Sequence, residues 1–346
     1  FRQIFCKTMA RRPQFLPGKG ALSRWNLSEV LAAHAPEDLV AVKRSTNRWF
    51  MYNETGNENL LTDASDNVEQ RRWGEVVDIV LEKKSETPKG EYSYYTGPVP
   101  GPPSKASAVW ISSANSGTRA HYDAFDNEFY QLEGRKRIRI HAPLAHFAMH
   151  VYPDAHPRAR KSQVNSDCPD LERFPLYSSI GEPVLDVELG PGDSITIPAF
   201  WFHEIESLTP SVSVNSFAMS PVTAAASRVF ANPLVLDRDF VHDVITTCTG
   251  IGANEFLSRL ISSRYTPLYG EVDPSTLPTP ASLPTPVAKA SVQTSFASLK
   301  AMSGGVQGDM DTQGVSEIVM AHLLELSCVR AGAPGKVHAT LAGLLA

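Results

Sequence analysis

The run from Ala106 to His141 reads ASAVWISSANSGTRAHYDAFDNEFYQLEGRKRIRIH. Three of its pieces, Ala108–Ser112, Phe129–Glu133 and Arg137–His141, are short, rich in β-branched or aromatic residues, and bounded by turn formers. Gly134, between Glu133 and Arg135, suits a tight hairpin turn. The same pattern extends outward on both sides. Tyr92–Tyr95 precedes it, and Val184–Glu188, Ser194–Ile197 and Val212–Phe217 follow, with a further turn at Pro191-Gly192-Asp193. Short strands with regular turn punctuation predict a mainly β fold with flanking helices, closed as a jelly roll, that is, a double-stranded β-helix.

The flanks read differently. Asn26 followed by Glu29 resembles a capping box, and Leu27, Val30 and Leu31 have helical spacing. Leu39–Val42 predicts a short strand. Asp66 and Glu69 predict a second helix through about Lys84, with Trp73, Val76, Val77, Val80 and Leu81 on one face, ended by Pro88 and Gly90. Residues 145–181 form a long polar insertion, and loops of that length are functional or irregular. After Pro221 the spacing predicts helices over Arg238–Cys248, Ala253–Tyr265 and Val315–Val329. Pro267, Pro274, Pro278, Pro280, Pro284 and Pro286 mark a semi-extended linker, and Gly304–Gly314 a second flexible run. The expected organisation is an N-terminal α/β part over 1–91, a jelly-roll core over 92–221 with the insertion 145–181, a helical part over 222–266, a Pro/Gly-rich linker over 267–313 and a helical tail over 314–346.

Composition narrows the function classes. Of 346 residues, 42% are apolar and 20% charged, as in an ordinary soluble globular chain. A net charge of −5 argues against an obligate nucleic-acid coat and leaves room only for a local basic face. No run of 18 apolar residues exists, so no membrane-spanning helix and no membrane partner is expected. Cys6, Cys168, Cys248 and Cys328 form no CxxC pair, which excludes a zinc ribbon and disfavours a disulfide framework. An intracellular, reducing compartment, cytoplasm or nucleus, fits best. The first 28 residues carry six basic residues and no acid. They read as a basic surface arm or as the end of an organellar transit peptide, so organellar targeting stays open.

His121-Tyr122-Asp123 is the only His-x-Asp in the chain. With ten histidines and 37 acids, a His-x-acid pair arises about once by chance, so the pair counts only with its context. Residues i and i+2 of an extended segment point to one face, so imidazole and carboxylate can converge. A third ligand would complete a 2-His-1-carboxylate triad, which holds Fe(II) and leaves positions open. His203, after Ala199-Phe200-Trp201-Phe202, is the candidate, although a histidine among aromatics is more often a hydrogen-bonded core residue. His141, His146 and His150 are spaced by five and four, which fits no single strand face; they read as solvated loop histidines.

Taken in order, His121-Tyr122-Asp123, Asn127, Gly134-Arg135-Lys136-Arg137, Gly192-Asp193 through Ile197-Pro198, and Trp201-Phe202-His203 resemble the JmjC-type, cupin-fold hydroxylases, which depend on Fe(II) and 2-oxoglutarate. Ser162-Gln163-Val164 and the run Pro169–Pro175 are similar to the arginyl-hydroxylase branch and to the tRNA wybutosine hydroxylases. Ile111-Ser112-Ser113, Asp126-Asn127 and Ile197-Pro198-Ala199 look closest to the latter. Nothing in this resemblance covers 267–346.

The resemblance implies roles. His121, Asp123 and His203 would be the metal ligands and the catalytic centre. Lys136 would pair with the distal carboxylate of 2-oxoglutarate, helped by the hydroxyls of Thr118 and of Tyr95 (or Tyr94, the register being open). Asn127 and Asn215 would be pocket amides. From the residues alone, Lys136 reads equally as a solvated strand lysine, Tyr95 as an ordinary strand aromatic, and the two asparagines as buried amides satisfied by backbone. Phe217 departs from the tryptophan of many relatives, which bears on the pocket wall.

The implied function is a 2-oxoglutarate-dependent dioxygenase that uses dioxygen to hydroxylate a macromolecular substrate. A tRNA base comes first, with Arg11, Arg12, Lys19, Arg24, Arg158, Arg160 and Lys161 as the expected phosphate contacts. A protein side chain of the arginine or asparagine type is the alternative, and a catalytically silent cupin-like binding module the third. The intact set His121, Asp123, His203 and Lys136 argues against the silent module. The C-terminal helices offer a surface for a homodimer.

Overall fold

The computed structural model describes residues 12–18, 25–50, 67–81, 92–98, 106–272, 289–303, 309–332 and 334–345. Every described strand belongs to one unit, which runs to His141 and resumes over Pro183–Met219. Its strands are β1 (Gln14–Leu16), β2 (Leu39–Ser45), β3 (Trp49–Phe50), β4 (Asn67–Arg72), β5 (Tyr92–Pro98), β6 (Ala106–Ser112), β7 (Gly117–Tyr122), β8 (Asp126–Glu133), β9 (Lys136–His141), β10 (Leu185–Leu189), β11 (Ser194–Ile197), β12 (Phe202–Ser207) and β13 (Ser211–Ala218). An eight-stranded sheet has the order β1-β11-β8-β13-β6-β5-β2-β4, and a five-stranded sheet the order β10-β9-β12-β7-β3. The pairings are antiparallel except for β3 with β7. This is the jelly roll that the strand pattern predicts. The hairpin turn holds too: Gly134 has φ of 71°, and a Cβ there would lie 2.1 Å from the Pro210 carbonyl oxygen.

Alternation separates the two faces of the large sheet. Val109, Ile111, Val212 and Val214 share a buried cluster with Val30, Trp73 and Val76 of the N-terminal helices α1 (Leu27–Leu31) and α2 (Trp73–Leu81). The Asn26 side chain caps α1 by accepting from the Ser28 N–H. The helix expected to open at Asp66 begins instead at Trp73. Residues 67–72 are strand β4, paired with β2 from Leu39↔Arg72 to Arg44↔Asn67, and Glu69 joins Arg44 across that pair. Cross-strand pairing overrides the capping signal there. The burial of Trp73, whose indole N–H donates to the Leu31 carbonyl at 2.7 Å, sets where the helix starts.

The second unit contains 142–182 and the chain from Ser220 onward. Its helices are α3 (Pro221–Phe230), α4 (Arg238–Thr249), α5 (Ala253–Leu260), α6 (Thr266–Tyr269), α7 (Lys289–Ser303), α8 (Asp309–Ala331) and α9 (Val337–Leu345). A π-helical turn over Ile261–Tyr265 joins α5 to α6. Helix α7 lies inside the stretch read as linker and buries Val292, Phe296 and Leu299 at helical spacing. Of the three histidines read as solvated loop residues, His141 ends strand β9 and is half-buried, and the other two are not solvated at all. His146 and His150 are fully buried, and burial pushes both below the ordinary histidine pKa. Residues 143–146 form a 3₁₀ turn, so a strand-face test did not apply to them. His146 Nε2 meets Glu317 of α8 at 2.9 Å, and His150 Nδ1–H donates to the Ser263 carbonyl at 2.9 Å. Lys161, expected on a basic face, is also buried, with its ammonium 3.3 Å from the Ala159 carbonyl. No helix among the described residues is long and apolar enough to cross a membrane.

Candidate metal and cosubstrate site

The site is built on β12, which lies between β9 and β7 in the five-stranded sheet. His203 on β12 pairs directly with His121 on β7, and Asp123 follows the end of β7. One ligand atom from each of His121, Asp123 and His203 lies within 4.8 Å of the others. His203 Nε2 is 3.6 Å from Asp123 Oδ2, and the two imidazole centroids are 4.2 Å apart. Both rings are buried, at 5% and 1% exposure. Each donates Nδ1–H to a backbone carbonyl, His121 to Arg119 at 2.8 Å and His203 to Trp201 at 3.1 Å. A carbonyl can only accept, so in the neutral rings Nδ1 carries the proton and Nε2 the lone pair, the form a metal requires.

Thr118 and His121 are three residues apart and would face opposite sides of a regular strand. The register shows why they do not. His203 pairs with His121 and Ile205 with Thr118, so β7 spends three steps where β12 spends two. This β-bulge turns both side chains to the same face. Gly117 makes room for it: a Cβ there would stand 2.6 Å from both the Ile205 carbonyl oxygen and the Trp49 ring.

Further along that face, Ser207 pairs with Lys136. The strand carrying Lys136 does not neighbour that of His121; β12 lies between them. Four residues of β12 separate the level of His203 from that of Lys136, about 13 Å. Lys136 is buried, and its ammonium donates to Ser213 Oγ at 2.9 Å and lies 5.6 Å from the Phe129 ring centroid. No carboxylate among the described residues pairs with it, and burial pushes it down to about 7. A pocket here is lined by Tyr94, Trp110, Ser112, Thr118, Lys136 and Ser207 among others.

The open register at Tyr94 and Tyr95 resolves toward Tyr94. Tyr95 sits on the other face of β5, in the cluster with Trp73, with its hydroxyl 3.2 Å from His34 Nε2. Its assignment to the cosubstrate is therefore corrected. Asn127 is buried with no hydrogen-bond partner for Oδ1, opposite Phe217 in the β8–β13 register. Asn215 Oδ1 accepts from the Trp110 indole at 3.0 Å and so supports the pocket wall. Ser213 was not singled out in the sequence, and Tyr94 only as the alternative register to Tyr95. Ser213 carried a usable signal, since it stands two residues before Asn215 and shares its face.

A double-stranded β-helix with two imidazoles and a carboxylate converging on one face of its smaller sheet defines a cupin-type protein with a site suited to a metal ion. The chain belongs to the cupin-like domain family, whose model matches residues 21–221. The likeness to JmjC-type cupins read from the motifs is borne out at that level. The chain is 34% identical over 123 residues to HSPB1-associated protein 1 of Rattus norvegicus, a match covering 34% of this chain and 25% of that protein. It is 36% identical over 113 residues to tRNA wybutosine-synthesizing protein 5 of Homo sapiens, covering 32% of this chain and 33% of that protein. The chain thus spans only a quarter to a third of the length of these relatives.

Proposed function

We propose that this protein is an Fe(II)- and 2-oxoglutarate-dependent dioxygenase that hydroxylates a macromolecular substrate. One observation carries the reading: the two Nε2 atoms and the Asp123 carboxylate converge on the sheet face whose far end holds a buried lysine with no carboxylate partner among the described residues. The donor set fits the ion, because imidazole and carboxylate suit Fe(II) and three protein ligands leave coordination positions open. The lysine fits the cosubstrate, because a buried cation is costly until an anion joins it.

When bound, Fe(II) would activate dioxygen, the oxidant, while 2-oxoglutarate would give up two electrons in becoming succinate and carbon dioxide, so that one oxygen atom is left for a substrate C–H bond. The residues of the chain hold and orient. The Arg119 and Trp201 carbonyls fix the ring tautomers of His121 and His203. Ser213 holds the Lys136 ammonium for the distal carboxylate, and Tyr94 and Thr118 line the same pocket. In the test, purified protein is supplied with Fe(II) and 2-oxoglutarate and succinate is measured. Asp123→Ala should abolish succinate formation; turnover at the wild-type rate would overturn the triad assignment.

A tRNA base is the first reading of the substrate, supported by the relatives named tRNA wybutosine-synthesizing protein 5. Burial of Lys161 removes one expected phosphate contact, and Arg158 and Arg160 are half-buried, while Arg12 is exposed. Arg11, Lys19 and Arg24 lie outside the described residues. Bulk tRNA should bind with an affinity that falls steeply from low to physiological salt, since each phosphate contact releases counterions. No binding even at low salt would favour a polypeptide substrate.

A further inference from the structure

We infer that Asp126 is a positioning residue that fixes the distance between the two halves of the metal triad. The inference rests on the metal-binding reading of His121, Asp123 and His203. That triad is discontinuous: two ligands follow one another at the end of β7, and the third arrives on β12 after the turn Pro198–Trp201.

Three hydrogen bonds make this turn a bridge. The Asp126 carboxylate accepts from the Ala199 N–H at 2.9 Å, across 73 residues of sequence. The Asp123 carbonyl accepts from the Phe200 N–H at 2.7 Å. The Trp201 carbonyl accepts from His203 Nδ1–H at 3.1 Å and so sets that ring. Three consecutive turn residues are thereby tied, in order, to Asp126, to the ligand Asp123 and to the ligand His203.

The backbone of the turn is not relaxed. Phe200 has φ of 69°, the left-handed region, which a bulky residue occupies only when its surroundings enforce it. Ala199, Phe200 and Trp201 are all buried, so water cannot replace a lost acceptor for the Ala199 N–H. An aspartate in a loop ordinarily bonds to its own backbone neighbours. Asp126 is buried and bonds instead to the turn that delivers the third ligand. Without that acceptor the turn loses the tie that holds Phe200 in its enforced conformation. The Asp123 backbone and the His203 ring, each bonded to the next residues of the turn, then shift relative to one another. Asp126 acts in this way without touching the metal.

Co(II), a visible stand-in for Fe(II), tests this in the full chain by affinity and by its d–d absorption band. Asp126→Ala should weaken Co(II) binding about tenfold or more, as loss of an outer partner of a metal ligand does, and should change the band shape. Asp126→Asn keeps an oxygen acceptor in place and should restore affinity and band. Asp126→Glu displaces the acceptor by one methylene and should weaken binding; it carries the test if the alanine variant fails to fold. Wild-type affinity and band in Asp126→Ala, or in Asp126→Glu if only that variant folds, would overturn the inference, as would Asp126→Asn weakening binding as much as the other substitutions. Failure of the wild-type protein to bind Co(II) would instead overturn the metal-site reading, and this inference with it.

Discussion

At the scale of single residues, Lys136 carries the most specific chemistry. Its ammonium is buried against Ser213 and the Phe129 ring, and that burial pushes it down to about 7. Lys136→Met should lower 2-oxoglutarate affinity by about two orders of magnitude, since breaking a buried charge pair costs ~3–5 kcal/mol. Fe(II) affinity should barely change, because Lys136 is not a ligand; an unchanged 2-oxoglutarate titration would assign the anchor elsewhere. The wild-type protein adds a pH signature. The anion selects the protonated lysine, so binding takes up a proton above about 7, and affinity should fall about tenfold per pH unit there while staying level below. His121, Asp123 and His203 were legible from spacing and motif order, and they do lie together; Thr118 and Lys136 entered only through the resemblance. Tyr94 entered only as the alternative to Tyr95. Both Tyr94 and Tyr95 are buried, at 6% and 5% exposure, so burial alone does not mark which of the two points into the pocket.

At the scale of elements, the bulge in β7 is what brings the candidate ligand His121 and the pocket-lining Thr118 to one face of one strand. Gly117 belongs to it, and Gly117→Ala would force a methyl against the Ile205 carbonyl and the Trp49 ring. Overpacking of this kind costs about 1–3 kcal/mol, so the thermal midpoint should drop. A variant as stable as wild type would show that β3 and β12 can move apart. The same bulge explains why β7 was invisible in the sequence: an extra residue breaks the alternation by which strands are recognised. β12 was hidden otherwise, because Phe202, His203 and Glu204 are buried in succession and show no alternation, with Glu204 against Arg139 on the side away from the pocket. The π-helical turn shows a third limit. Its Ser263 and Arg264 carbonyls accept from His150 and Gln163, and partners so distant in sequence leave no periodic signal.

At the scale of the whole molecule, the jelly roll was readable because seven strand segments announce themselves by alternation and turns. The second unit was readable only in part: the helices expected over Arg238–Cys248, Ala253–Tyr265 and Val315–Val329 are present, but its interior also relies on buried polar pairs. His146 with Glu317 spans 171 residues, and Arg264 lies between Glu325 at 3.0 Å and Asp154 at 3.7 Å. This interior predicts acid sensitivity. Burial holds the pKa of His146 below its ordinary value and that of His150 at about 4, so unfolding takes up a proton at each once the pH drops below about 6.5. Stability is therefore full above that value and should decline as the pH falls toward 4. A thermal midpoint that stays level from pH 7 to pH 4.5 would contradict the burial of these rings. The path of the chain has a separate consequence. It leaves the barrel after β9 and returns at β10, yet these strands pair side by side, with the Val184 N–H bonded to the Ile140 carbonyl at 2.7 Å. Topologically, everything from 142 to 182 is the loop of a single hairpin. A lineage could lengthen, shorten or exchange that excursion without rethreading a strand of the barrel or changing the spacing of the metal ligands, much as a graft leaves the rootstock intact.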